Sequence, residues 1–465
     1  MKHLLPVLLS VLVLVASALR GAESAKPNVL LLYVDNVGYG DLGCYGNAAV
    51  KTPRIDQLAR EGARATEFYV VTTSCTPSRG AVLTGRYPRR NGLSHQLAGA
   101  AENWHGIGLP HRERIIPQYL KEAGYATGCF GKWNIGFAPG SRPTERGFDE
   151  FFGFRSGNIG YFDHLYANEY DLFRGTEPHR AEGYATDLFA DAANDFIRRH
   201  RDRPWFVYLP FNAAHFVNAG NVPRGKKPEW EVPAKYLERY GWKGDEPDEK
   251  RRYQAVLTAL DDAIGRVVDQ VDALGLRERT LVILISDNGA FMLPQRGLEV
   301  ASNAPLRDGG TTCYEGGTRV PALFRWPGKI KPGTVVREML SHLDVLPLAL
   351  EVSGARPLPG RIIDGRNPLP VLAAGAKSPH ARLAFAYANG TALREGTLKL
   401  VRHDAKKPWE LYDLAADLGE RQDLAARQPA DVARLEAAFA AWAADAQRDA
   451  SPPSPRPAPK QKKVP

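Results

Sequence analysis

Two unbroken apolar runs that end in the same dipeptide constrain this chain more than any other feature. Asn28–Val34 (NVLLLYV) runs into Asp35-Asn36, and residues 281–285 (LVILI) run into Asp287-Asn288 one residue later. A third run, residues 205–209 (WFVYL), has the same character. Runs this apolar, without alternation, belong to strands buried on both faces, as in a parallel sheet. Helical patterns separate them. Thr52-Pro53 offers an N-cap and a first-turn proline ahead of Ile55, Leu58 and Ala59, with Gly62 as the stop. Residues 249–274 carry Val256, Leu260, Ile264, Val267, Val268 and Val271 at helical spacing and stop at Gly275. Strands alternating with helices predict an α/β fold, a large mostly parallel sheet sandwiched by helices. After Ser353 the chain turns rich in Pro and Gly, then gives short β-like runs (383–388 and 397–401) and a helix over 429–446. That pattern predicts a smaller C-terminal α+β subdomain. There are no internal repeats.

The expected divisions are a signal peptide at 1–25, the main α/β domain at 26–375, the α+β subdomain at 376–450 and a disordered basic Pro-rich tail at 451–465. Met1-Lys2-His3 is a basic start, residues 4–19 are mostly apolar, and small residues fall at Ala16-Ser17-Ala18, with Ala22 and Ala25 as later cleavage options. The apolar run is shorter than the ~20 residues of a membrane span. An uncleaved anchor is the alternative, but the reading adopted is an exported chain, periplasmic or secreted, with no stable membrane anchor. Of the formal charge of +9 (Lys+Arg 61, Asp+Glu 52), Arg456, Lys460, Lys462 and Lys463 sit in the tail. The folded part is only mildly basic, which suits a small anionic substrate and gives no case for nucleic acid. Export makes Cys44, Cys75, Cys129 and Cys313 candidates for disulfides, though none has C-x-x-C spacing.

In open α/β sheets ligands bind at the carboxyl ends of the strands. Asp35, Asn36, Asp287 and Asn288 stand there with carboxylate and amide oxygens, the hard donors that Ca²⁺ or Mg²⁺ select. The plainer alternative is that they are turn residues. Between the two pairs lies Ser74-Cys75-Thr76-Pro77-Ser78-Arg79. Thr76 and Pro77 read as an N-cap and first helical residue, so Cys75 lies at a helix mouth, where free N–H groups favour anions. Arg79 is one turn on and points back toward Cys75. A buried structural cysteine is the alternative.

Cys75-x-Pro77-Ser78-Arg79 followed by Leu83-Thr84-Gly85-Arg86 resembles the signature of the type I sulfatases of the alkaline-phosphatase superfamily. The resemblance continues through Asp35-Asn36-x-Gly38-Tyr39-Gly40-Asp41, Gly131-Lys132-Trp133, Asp287-Asn288-Gly289, Glu315-Gly316-Gly317-x-Arg319 and Glu410-Leu411-Tyr412-Asp413, in family order. It implies that Cys75 is oxidised to Cα-formylglycine by a formylglycine-generating enzyme, and so does not pair in a disulfide. It also implies that Asp35, Asn36, Asp287, Asn288 and residue 75 hold Ca²⁺, with Mg²⁺ as the alternative. Asp287 then assists the attacking hydroxyl, Arg79 holds the nucleophile and the carboxylates, Lys132 binds sulfate, and His215 protonates the leaving oxygen. Ser156 falls near a sulfate-contacting position. The implied substrate is a small-molecule or saccharide sulfate ester.

Three departures from the family pattern stand out. Asn36 replaces an Asp, Asn134 replaces a His that takes a proton from the hydrated aldehyde, and Gly310 replaces a sulfate-binding Lys. Asn134 remains a substrate-side candidate, with His105 or His164 as substitutes for the lost base and Arg307 or Lys226 for the lost charge. Two other functions compete: a phosphonate or phosphate ester hydrolase of the same superfamily, and a turnover-deficient protein that binds sulfated ligands. Trp104, Trp230 and Trp242 are candidates for stacking on sugar.

Overall fold

The structure is a computed structural model that describes residues 26–97, 108–217, 229–294 and 299–453. The expected signal peptide, most of the expected tail, Trp104, His105 and Lys226 lie outside the described residues. No described helix is long and apolar enough to cross a membrane.

One 10-stranded sheet dominates. Its strands are β1 (Asn28–Val34), β2 (Ala63–Ala65), β3 (Ala126–Lys132), β4 (Glu150–Phe154), β5 (Phe173–Arg174), β6 (Glu177–Pro178), β7 (Trp205–Pro210), β8 (Thr280–Ser286), β9 (Ala322–Arg325) and β10 (Thr334–Val336). Their spatial order is β10-β2-β9-β8-β1-β7-β3-β4-β5-β6. The five central strands, β8 to β4, are parallel, while β9 and β5 join them antiparallel. The mostly parallel sheet expected from the apolar runs is present.

Helices α1 (Pro53–Glu61), α2 (Cys75–Thr84), α3 (Ala185–Arg199), α4 (Glu249–Ala273) and α5 (Pro429–Asp445) pack against the sheets. β1 shows why its run is apolar throughout. Leu30, Leu32 and Val34 enter one core with residues of α1, α3 and α4, and Val29, Leu31 and Tyr33 enter another on the α2 side. Side chains of period two thus feed two separate cores.

Two helix ends differ from expectation. Thr52 does not cap α1 with its side chain; its hydroxyl accepts from Gly43 N at 2.9 Å and donates to Asp56 at 3.2 Å. Gly62 has φ −141° and is not left-handed. A Cβ there would lie 2.1 Å from Phe324 O, so close approach to β9 demands the glycine.

The C-terminal part holds a four-stranded antiparallel sheet, β11 (Arg382–Tyr387), β12 (Gly390–Glu395), β13 (Leu398–Arg402) and β14 (Glu410–Asp413). One face, with Ala384, Leu393, Leu400 and Leu411, packs on Leu435 and Phe439 of α5. The other, with Phe385, Ala392, Val401 and Tyr412, packs on Tyr69, Cys313 and Tyr314 of the main body. The chain after α5 is held down at its start: Ser451 is buried, with its N–H donating to Arg90 O at 2.8 Å. Order therefore extends past the expected start of the tail. All four cysteines are free thiols, so none of the candidate disulfides forms. Cys129 and Cys313 are buried in different cores.

Candidate active site

Four neighbouring parallel strands deliver the site. β8 and β1 run in register to Val34↔Ser286, so Asp35-Asn36 and Asp287-Asn288 emerge side by side. β7, on the other flank of β1, leads to His215, and β3 beside it ends at Lys132. Everything converges at the carboxyl edge, as parallel topology requires.

Cys75 is the first residue of α2, two positions earlier than the sequence pattern suggested. Thr76 is not the N-cap because its hydroxyl is turned to Asn134 Oδ1, at 2.9 Å. Ser74 takes the cap position without a side-chain cap bond, and Gln96 supplies the missing acceptor from another segment. Gln96 Oε1 accepts from Thr76 N at 3.0 Å and from Ser74 Oγ at 2.7 Å. The orphan donor at the start of a helix is thereby satisfied from outside it.

The Cys75 sulfur lies 3.5 Å from Asp35 Oδ1 and 4.0 Å from Asn36 Oδ1. Asp35, Cys75 and a ring nitrogen of His215 place ligand atoms within 4.8 Å of one another. Arg79 binds Asp287 at 2.8 Å and approaches Asp35 at 3.4 Å, while Lys132 is paired with Asp35. All four charged side chains are fully buried. Burial, then the neighbouring Asp35, push the Asp287 carboxyl up against the pull of Arg79 and Lys132. The Cys75 thiol is pushed well up by burial and then by Asp35. A thiol so disfavoured as thiolate is a poor nucleophile in its own right. Burial, then Lys132, lower His215 to about 3, leaving a neutral imidazole whose Nδ1 donates to Phe216 O at 2.8 Å.

The residues fit a hard cation. Two carboxylates and two side-chain amides face one another, and Asn288 Nδ2 stands 2.6 Å from Asn36 Oδ1. Asn288 Oδ1 is buried without a hydrogen-bond partner, a cost that coordination of a cation by that oxygen removes. Asn36 adopts φ 57°, a left-handed conformation that Asn tolerates better than most residues.

A cavity of about 220 Å³ opens over Cys75, lined by Gln96, Asn158, His215, Phe291, Thr311 and Tyr387 among others. Residues 27–355 match the Sulfatase family, and residues 311–439 match the family N-sulphoglucosamine sulphohydrolase, C-terminal. This chain is a sulfatase. The human N-acetylgalactosamine-6-sulfatase is 34% identical to it over 376 residues, covering 76% of this chain and 68% of the relative. Human arylsulfatase A is 33% identical, covering 88% and 86% respectively. Among solved structures, Ps i-CgsB in complex with k-i-k-neocarrahexaose superposes with a TM-score of 0.82 at 27% identity, covering 92% of this sulfatase and 95% of that chain.

Several expected residues stand elsewhere. Ser156 turns its hydroxyl to Asn158 O at 2.9 Å, and Gly157 and Asn158 form the cavity wall instead. Asn134 is fully buried, and its Oδ1 accepts from Thr76 and from Gln96 at 3.3 Å, so the amide fastens α2. His164 Nε2 pairs with Gly183 O at 3.1 Å, and the residue does not line the cavity over Cys75. Arg307 lies over the Tyr314 ring at 3.8 Å and binds Tyr412, so it belongs to the C-terminal junction. At Gly310 a Cβ would meet Gly289 O at 2.7 Å and the Phe291 ring at 2.8 Å, which leaves no room for a lysine stem. Trp230 is core, and Trp242 stacks on Tyr240. Gln96, Phe291, Thr311 and Tyr387 escaped sequence reasoning, since no local pattern marks a lone residue that reaches a site by folding.

Proposed function

We propose that this sulfatase cleaves a sulfate ester on a carbohydrate, using a Cα-formylglycine matured from Cys75 beside a bound Ca²⁺ or Mg²⁺. The observation that carries the reading is the placement of Cys75. It opens a buried helix within reach of Asp35, Asn36 and His215, where a thiol is disfavoured as a nucleophile but a hydrated aldehyde is well served. The saccharide part is supported by relatives named for amino-sugar sulfate and by a structural neighbour that binds a neocarrahexaose. The chain is proposed to be exported, and its partner during maturation is the enzyme that oxidises Cys75.

Asp35, Asn36, Asp287 and Asn288 would hold the cation, which supplies Lewis-acid polarisation of the sulfate. Hydrated, residue 75 would present one hydroxyl for attack on sulfur and a second whose deprotonation releases sulfate without an attacking water. Asp287 accepts the proton of the attacking hydroxyl. Arg79 fixes that carboxylate from its far side, and Lys132 faces the developing charge on the sulfate oxygens. His215 is neutral in the cavity as it stands. An arriving anionic ester favours its protonated form, which then gives a proton to the leaving alcohol oxygen. The Phe216 carbonyl holds the ring in place for that transfer.

Mass spectrometry of the tryptic peptide ending at Arg79, after co-expression with the converting enzyme, is expected to show loss of the thiol. Metal analysis is expected to find a bound divalent cation whose removal stops turnover of nitrophenyl sulfate. A fully retained thiol in an active preparation would sink the reading. Nitrophenyl phosphonate, assayed beside the sulfate, is expected to be the poorer substrate. A panel of sulfated mono- and oligosaccharides then identifies the sugar.

A further inference from the structure

Three arginines lie within five residues on the segment that follows α2, and they are treated very differently. Arg86 is buried against Glu113 and Asp449. Arg90 is buried against Asp364 and Asp445. Arg89, between them, is exposed and has no hydrogen bond or ion pair among the described residues. Its guanidinium instead lies over the Trp442 ring, 5.7 Å from the centroid. A cation–π contact of this kind engages the ring without using the guanidinium N–H donors as hydrogen bonds to the protein, which leaves them available to an anion.

Arg89 and Trp442 line a cavity of about 150 Å³ between the main body and the C-terminal sheet, together with Tyr87, Ser94, Tyr387 and Thr391. Two polar atoms on its walls, Thr391 Oγ1 and Trp442 Nε1, are buried without a hydrogen-bond partner. Unsatisfied buried donors are uncommon and call for an explanation. The cavity adjoins the one over Cys75. Tyr387 lines both, and Ser94 on one wall is two residues from Gln96 on the other. At ~30 Å³ per water the space holds several waters, yet it is smaller than the ~300 Å³ at which whole-ligand pockets begin. It suits one anionic substituent and part of its ring.

We propose that this cleft is a second anion subsite. It takes a sulfate or carboxylate carried by a neighbouring sugar of the glycan whose ester is cut at residue 75. The proposal rests on the reading of the substrate as a sulfated carbohydrate and adds that the substrate carries at least two negative groups on adjacent sugars. Tyr87 braces the site by meeting Trp442 edge to face at 5.0 Å. The main body thus supplies the cation, and the C-terminal part the aromatic plate beneath it.

The test uses the full chain carrying Cys75→Ala, so that binding is read without turnover or maturation. Calorimetry compares Arg89 with Arg89→Ala against hexasaccharides prepared from chondroitin sulfate, heparan sulfate and carrageenan. Each is also tested with its second sulfates removed and, for the uronate-containing glycans, with carboxylates reduced to alcohols. Arg89→Ala is expected to weaken the best-bound hexasaccharide 10- to 100-fold, the span of a charge-assisted contact worth ~1.5–3 kcal/mol. Only one of the two chemical treatments is expected to erase the difference, and it names the group bound. Arg89→Lys, a point charge without the flat fork, is expected to recover only part. In the matured enzyme, Arg89→Ala is expected to leave kcat/KM for nitrophenyl sulfate unchanged. Equal binding of every hexasaccharide by Arg89 and Arg89→Ala chains, or an equal loss on nitrophenyl sulfate, would overturn the subsite. Failure of the matured enzyme to turn over nitrophenyl sulfate would count against the sulfatase chemistry, a separate result.

Discussion

This molecule buries two clusters of charge, and they are built on opposite terms. At the strand ends, Asp35, Asp287, Arg79 and Lys132 are fully buried but leave Asn36 Nδ2, Asn288 Oδ1 and Arg79 Nε without partners, under an open cavity. At the C-terminal junction, Lys399 binds Glu315 at 2.9 Å and Glu420 at 3.0 Å, all three fully buried. Glu315 also accepts from Tyr69 OH at 2.8 Å, and Glu420 from Glu315 N at 2.6 Å. Arg319 and Arg394 complete that cluster, and its members appear in the lining of neither the Cys75 cavity nor the Arg89 cavity. The first cluster crowds like charges and leaves donors idle, which is costly unless a ligand arrives. The second spends its charges on each other. Strain of the first kind marks a site of chemistry, and closure of the second kind marks a joint.

The largest effect should come from breaking the first cluster. Asp287→Asn is expected to lower turnover of nitrophenyl sulfate at least ~10³-fold, since it removes the proton acceptor and a charged ligand together. Thermal stability should hold or rise, because one of two crowded carboxylates is gone. Asn36→Ala, which removes an uncharged ligand, should cost less activity. A large loss of stability in Asp287→Asn would erase the distinction between the clusters.

The second cluster should answer in the opposite way. Lys399→Met leaves Glu315 and Glu420 buried without their shared cation, at ~3–5 kcal/mol. Denaturant unfolding is expected to read that loss, while kcat per folded molecule stays near the parent value. A loss of kcat with stability intact would mean that the junction acts on the chemistry.

Much of the first cluster was legible in sequence and almost none of the second. Apolar runs and the helix opening at Cys75 are local patterns, and parallel topology brings strand ends together by rule. Lys399, Glu315 and Glu420 come from separate segments with no shared period, so only the fold joins them. Gln96 was hidden for the same reason. The absence of a lysine at residue 310 was visible, but the crowding there by Gly289 O and the Phe291 ring emerges only from the fold. Ser156 was expected near a sulfate-contacting position, whereas its hydroxyl is turned to Asn158 O and Gly157 and Asn158 line the cavity.

A pH series sharpens the contrast further. Burial raises Glu420 to about 7, against the pull of Lys399. A carboxyl raised on folding contributes stability that is fully present below its unfolded value, ~4.3, and is lost as pH rises through the folded one. The parent should therefore lose stability between about pH 4.5 and 7.5 relative to Glu420→Gln, which lacks the titrating group. Parallel stability profiles for the two proteins would refute this.

The smallest effect expected, and the most discriminating, concerns Asn134. Motif logic alone assigns the missing histidine a base role. It then expects sulfate release to lag, a burst of alcohol product, and a gain of up to ~10²-fold from Asn134→His. The structure gives the amide another occupation. Its oxygen accepts from Thr76 and Gln96, and Nδ2 donates to Leu97 O at 3.4 Å, which ties the start of α2 to the cavity wall. With φ 52° the backbone is left-handed, a region where His is also found, so the substitution should fold. An imidazole cannot accept both donors at one atom in that geometry, and leaving one of them unmet costs ~1–3 kcal/mol. Asn134→His is thus expected to lower stability by that amount and kcat by a few-fold as α2 loosens, with Gln96→Leu giving a similar change. Rapid-quench kinetics on the matured enzymes decide the matter. A higher kcat and a shortened burst in Asn134→His would show that the ring reaches residue 75 and that the lost base, rather than the fastener, is what position 134 controls.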